Sequence, residues 1–197
     1  LRNDAVQKAK DADIVIFIGG LNKNYQQDSE GGDRISYGLP YGQNELIDEL
    51  YKVNKNVVVV IVSGNAVEMP WVDQVPSIVQ SWYLGSIGGE ALADVLTGKV
   101  TPSGKLPFSY PKKLEDCPAH YYGNMSYPGD SISQEYKEDI LVGYRWYDTK
   151  KVEPLFPFGY GMSYTSFDYG KLQASRKSIS ENDTLQISLT VKNSGHV

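Results

Sequence analysis

Cysteine and histidine are nearly missing from this sequence. Cys117 is the one thiol, so it has no partner for a disulfide within the chain, and with only His120 and His196 beside it no Cys/His group stands at metal-ligand spacing. No metal and no cofactor are expected. Basic charge is also in short supply, 19 Lys and Arg against 24 Asp and Glu, for a formal net charge of -5. No window carries the basic stripe that tracks phosphates, which excludes nucleic acid as a general partner. The longest apolar runs, IVIFI and VVVVIV, fall far short of the roughly 20 residues that a bilayer-crossing helix needs, so no membrane span is expected. No signal peptide opens the chain. LRNDAVQKAKDAD enters in mid-helix and LTVKNSGHV stops at a strand end, so both termini read as cuts.

What remains is ordinary for a globular protein, with 41% hydrophobic and 22% charged residues, except that aromatic rings reach 12%. Rings pack cores, and they also form the faces on which sugars stack. Along the chain, Asn3 to Lys10 has helical character with Asp4 as a cap. DADIVIFIGG reads as a buried parallel strand closed by two glycines. Pro40 is placed to start a helix through NELIDELYKVN. NVVVVIV and Ser77 to Trp82 (SIVQSW) read as further strands, and GGEALADVLTG as a helix ended by Gly98 in the left-handed conformation. Strand, helix, strand, turn, strand, helix describes an α/β layer with a mainly parallel sheet. From about Ser166 the pattern changes to TLQISLTVKN, alternating as in a half-buried strand at the beginning of a β-sandwich.

In an open parallel sheet the loops after the carboxyl ends of the strands line the ligand crevice. One of them, Leu21 to Leu39, is long, polar and without periodicity, and loops of that length inside a domain are uncommon unless they do something. In its middle lies DSEGGDR. Such a stretch can be only a solvated surface, and context has to decide. The loops GNAVEMPW and LGSIGGE share the same edge; GNAVEMPW lacks the Lys-Ser/Thr of a phosphate loop.

In order, DADIVIFIGG, SEGGDR with LPYGQNELI, VVVVIVSGN, LGSIGGEALADVLTGKVTPSGKLPFSYP, GYRWYD and PLFPFGYGMSYTSFDY resemble glycoside hydrolase family 3 over nearly the whole chain. More narrowly they are similar to the C-terminal α/β-sandwich domain of its β-glucosidases and β-xylosidases, here residues 1–161, followed by the start of a fibronectin type III-like β-sandwich, 162–197. The resemblance implies a retaining glycosidase acting on terminal β-linked glucosides or xylosides. An aspartate nucleophile would lie on an N-terminal (β/α)8 barrel absent from this chain, and the acid/base glutamate of the S/T-E-G-x-D-R motif would be Glu30. A homodimer and a periplasmic or extracellular location are compatible with it.

The chemistry asks for two carboxyl groups about 5–5.5 Å apart, one nucleophilic and one carrying the proton for the leaving group. Apolar cover and the nucleophile's charge, which keep such an acid protonated, would come from the barrel. The chain alone is therefore expected to be inactive. Asp28 is a rival for the acid role, outside the matching pattern. Asp33 and Arg34 are expected to hold the loop, by pairing with each other or with the helix start. Tyr144, Trp146 and Tyr147 can form a sugar-facing rim or pack against the sheet; Glu68, Trp71 and Trp82 read as core or boundary residues, and His120 as a surface histidine. Two other readings stand beside this one: a carbohydrate-binding or structural module without catalysis, and a flavodoxin-like binding domain.

Overall fold

The apolar runs set the frame. Val57–Val62 (β2) lies between Val15–Gly20 (β1) and Ser77–Gln80 (β3), parallel to both, with Val15 opposite Val57 and Val58 opposite Ser77. Buried on both faces, the central strand has no use for polar residues, and Val57, Val59, Val60 and Ile61 are fully inaccessible. The computed structural model from which these features are read describes residues 1–197 except Tyr25 and Asp33. The chain forms two units, Leu1–Leu92 with Leu106–Tyr160, and Ala93–Lys105 with Gly161–Val197.

In the first unit, helices α1 (Arg2–Lys10) and α2 (Gln43–Val53) accompany the sheet, and α2 buries Ile47 and Leu50. Three expectations shift. Asp4 does not cap α1; it lies in the first turn and pairs with Lys8 one turn on, at 3.1 Å. Helix α2 starts not at Pro40 but three residues later, because Tyr41 and Gly42 adopt left-handed backbone (φ 63° and 69°) that a helix cannot include. Strand β1 is buried on one side only. Its Phe17 side packs on the core while Ile16 and Ile18 stay 46% and 59% exposed, since among the described residues no element covers that face at this edge of the sheet.

The Pro- and Gly-rich stretch after α3 (Gly88–Leu96) returns to the core. Tyr110 and Phe156 form an antiparallel bridge, and Leu106 and Tyr160 are joined by a 2.8 Å backbone bond, so LPFSYP and LFPFGY close one end of the unit together. Tyr110 is buried between Phe108 and Phe156, and its hydroxyl accepts the Val67 N–H at 2.9 Å. Tyr110→Phe removes that acceptor and leaves a buried donor unpaired, which costs about 1–3 kcal/mol. The expected result is a lower unfolding midpoint, and an unchanged midpoint would show that the Val67 N–H finds another partner. A one-turn 3₁₀ segment (Leu114–Asp116) and the short helices α4 (Pro118–Tyr121) and α5 (Tyr144–Lys150) complete the unit.

In the second unit, β4 (Phe167–Tyr169) pairs antiparallel with β7 (Val191–Asn193), and β5 (Gln173–Ala174) with β6 (Ile187–Ser188). TLQISLTVKN is thus split between two ribbons rather than forming one strand. Ile187, Leu189 and Val191 remain about half exposed, because neither ribbon has a second sheet packed on it among the described residues. Gly98 closes the preceding helical segment with φ 76°, as its position suggested. Among the described residues no helix is long and apolar enough to cross a membrane.

Candidate active site

The long loop leaves β1 under tight control. Gly20 has φ 141°, and a Cβ there would run into the Val62 carbonyl, so only glycine fits. Gln43, at the start of α2, receives the Gly20 N–H at 2.7 Å and donates back to the carbonyls of Gly20 and Pro40 at 2.9 and 3.0 Å. Leu21 continues the ladder by donating to Val62 O at 2.8 Å, and it is buried, as is Leu39 at the other end. Both ends of the loop are therefore rooted in the core while the middle stands clear.

That middle is a turn. Ser29 and Gly32 are bridged, with the Gly32 N–H directed to Ser29 O at 3.4 Å, and Gly31 takes the left-handed φ of 73° that such a turn favours in glycine. Glu30 sits at the tip, exposed, and its carboxylate has no hydrogen-bond or ion-pair partner among the described residues. A cavity of about 270 Å³ beside the loop is lined by Gln27, Arg34, Ile35 and Leu39 among others, but not by Glu30.

Asp28 behaves in the opposite way. Its Oδ2 accepts the Gly64 N–H at 2.8 Å and the Tyr83 hydroxyl at 2.6 Å, and its Oδ1 lies 3.4 Å from the Asn65 amide. A carboxylate so engaged is poorly placed to reach a sugar, and the rival reading of Asp28 as the acid loses its ground. Arg34 turns inward: Nη2 donates to Ala66 O at 2.6 Å and the guanidinium lies over the Tyr37 ring. Asp33, its expected partner, lies outside the described residues.

On α5 the three aromatic residues separate. Trp146 is fully buried, its indole donating to Asp116 O at 3.0 Å between the edges of Tyr121 and Tyr122. Tyr147 is 5% exposed, and burial beside Cys117 pushes its phenol well above the ordinary range. Their faces are spent on packing, so of the two readings packing holds for Trp146 and Tyr147 and the three-ring rim does not; of the three, Tyr144, 44% exposed, offers a ring to the outside. His120 is half-buried with its ring against Tyr127, and desolvation pushes its pKa down. Trp71 belongs to the core, and Trp82 stands edge-on to Phe108. Tyr83 was not singled out in the sequence; its place just after β3, on the same edge as DSEGGDR, was the signal available.

Fold and loop together define an α/β domain that carries Glu30, without a partner among the described residues, on a loop at the carboxyl edge of a parallel sheet. The chain belongs to glycoside hydrolase family 3: the model of the glycosyl hydrolase family 3 C-terminal domain matches residues 1–164. Beta-glucosidase BoGH3A of Bacteroides ovatus is 73% identical over 197 residues, all of this chain and 26% of that protein. Among solved structures, DesR, a β-glucosidase from Streptomyces venezuelae in complex with D-glucose, superposes with a TM-score of 0.89 at 37% identity, covering 98% of this chain and 24% of that one. The β-glucosidase from Kluyveromyces marxianus in complex with glucose gives 0.86 at 40% identity, covering 98% and 22%. The chain thus spans about a quarter of the length of the relatives it matches.

Proposed function

We propose that this chain is the acid/base-bearing part of a retaining β-glycosidase that removes terminal, non-reducing β-linked sugars, with β-glucosides as the substrate class. Glu30 protonates the departing glycosidic oxygen as a nucleophilic aspartate on an N-terminal barrel, outside this chain, forms a glycosyl-enzyme ester. The resulting Glu30 carboxylate then takes a proton from the water that opens the ester, so the configuration at the anomeric carbon is kept. Residues 1–161 form the α/β domain and 162–197 begin a fibronectin type III-like domain. Arg34 holds the loop, and Tyr144 is the ring available to the outer part of a sugar site. Xylosides differ from glucosides by one hydroxymethyl group and fall within the same chemistry.

The observation that carries this reading is the contrast within one loop. Among the described residues Glu30 is exposed and unpartnered at the tip of a glycine turn, while Asp28 on one side of it is bonded to the loops after β2 and β3 and Arg34 on the other to the Ala66 carbonyl. A lone carboxylate cannot cleave a glycoside by this route, so the chain without its barrel is inactive. The test is proton NMR of the full-length protein acting on an aryl β-glucoside. The first-formed sugar is expected to be β-glucose, mutarotating later to the mixture; α-glucose first, or no hydrolysis, would overturn the reading.

A further inference from the structure

Two acids stand two residues apart in DSEGGDR and meet opposite fates. We propose that Asp28 and Tyr83 are a positioning pair that sets where Glu30 stands; the proposal rests on the acid/base reading of Glu30 given above. Asp28 receives its hydrogen bonds from two other loops at the same sheet edge, Gly64 and Asn65 after β2 and Tyr83 after β3. One carboxylate thereby ties the loop after β1 to both neighbours.

Three features make this a built contact. The approach is close at Gly64: a Cβ there would lie 3.2 Å from both Asp28 Oδ2 and Tyr83 Cε2, so either side chain would have to give by a few tenths of an ångström. Burial and the hydrogen bond to Asp28 push the Tyr83 phenol up to about 12, so it stays a donor across the range in which glycosidases are assayed. The Asp28 N–H is itself fixed, donating to Asn22 O at 3.0 Å.

The link to Glu30 is short. Asp28 and Glu30 are two peptide units apart, at most about 7 Å of chain, and Glu30 lies within the turn that Ser29 and Gly32 bridge. Releasing Asp28 therefore displaces the carboxyl group at the tip, and a misplacement of about 1 Å can cost roughly 10²-fold in rate. Neither Asp28 nor Tyr83 needs to touch the sugar.

The test uses the full-length protein with Tyr83→Phe and Asp28→Asn, each alone and combined with Glu30→Ala, on a poor and an activated aryl β-glucoside. Tyr83→Phe removes one hydroxyl from a half-exposed ring and keeps the fold should Asp28→Asn disturb it. Each single change is expected to lower kcat/KM on the poor leaving group by about 10–10², in kcat rather than KM, and to spare kcat/KM on the activated one. In the Glu30→Ala background neither change lowers the rate further, because both act through Glu30. Equal losses on both substrates, the same loss with Glu30 already removed, or no loss at all would overturn the proposal. The Glu30→Ala variant alone separates the two failures: if it shows no dependence on the leaving group, the acid/base reading falls and there is nothing for the pair to position.

Discussion

Replacing Glu30 with alanine in the full-length protein is expected to lower kcat/KM for an alkyl or phenyl β-glucoside by roughly 10²–10⁴, the range over which a positioned general acid contributes. That corresponds to about 3–5 kcal/mol of lost transition-state stabilisation. The loss should depend on the leaving group. An alkoxide or phenoxide is a poor leaving group without a proton, so bond cleavage slows by the full amount. Dinitrophenolate departs unaided, so formation of the glycosyl-enzyme proceeds almost as in the parent, and its hydrolysis, now without a base, becomes limiting. For the activated substrate kcat and KM therefore fall together and kcat/KM barely changes. A uniform loss on both substrates would mean that Glu30 binds sugar or holds the fold rather than moving a proton.

The largest expected effect on stability lies at Trp71. It is 1% exposed in the cluster with Ile47, Val67, Met69 and Val75, and its indole N–H donates to Asn44 Oδ1 at 2.9 Å. Asn44 is on α2, so this side chain fixes the segment after β2 to the helix that follows the long loop. Trp71→Ala removes the ring, leaves a cavity and strands the Asn44 acceptor, at a cost of about 3–5 kcal/mol. Against a domain stability of about 5–15 kcal/mol, that threatens the fold itself. Trp71→Phe keeps most of the packing and loses mainly the hydrogen bond, at about 1–2 kcal/mol. Urea unfolding of both variants checks the order. Equal and small shifts would mean that the core closes over the lost ring.

Much of the sheet, and the loop that carries the candidate site, could be read before the structure. The strands announced themselves because buried parallel strands are continuous apolar runs, and DSEGGDR stood out as charge and glycine where the sheet must end. The exposure of Ile16 and Ile18 was not readable, since a strand covered on one face carries the same isoleucines as one covered on both. Nor was the split of TLQISLTVKN: alternation reports which side of a strand is apolar, not whether another sheet is there to receive it. Trp146 and Tyr147 could be read either as a rim or as packing because aromatic composition is the same for a platform and a core, and only burial separates the two. The Asp28–Tyr83 bond joins residues 55 positions apart, and no local pattern encodes it.

The most direct measurement is turnover of 2,4-dinitrophenyl β-glucoside by the full-length Glu30→Ala variant with and without azide. Azide needs no base, so it should raise kcat and yield β-glucosyl azide, with the parent giving glucose under the same conditions. Absence of both the rate increase and the azide adduct in a folded variant would contradict the assignment of Glu30 as the acid/base and return DSEGGDR to a solvated surface loop.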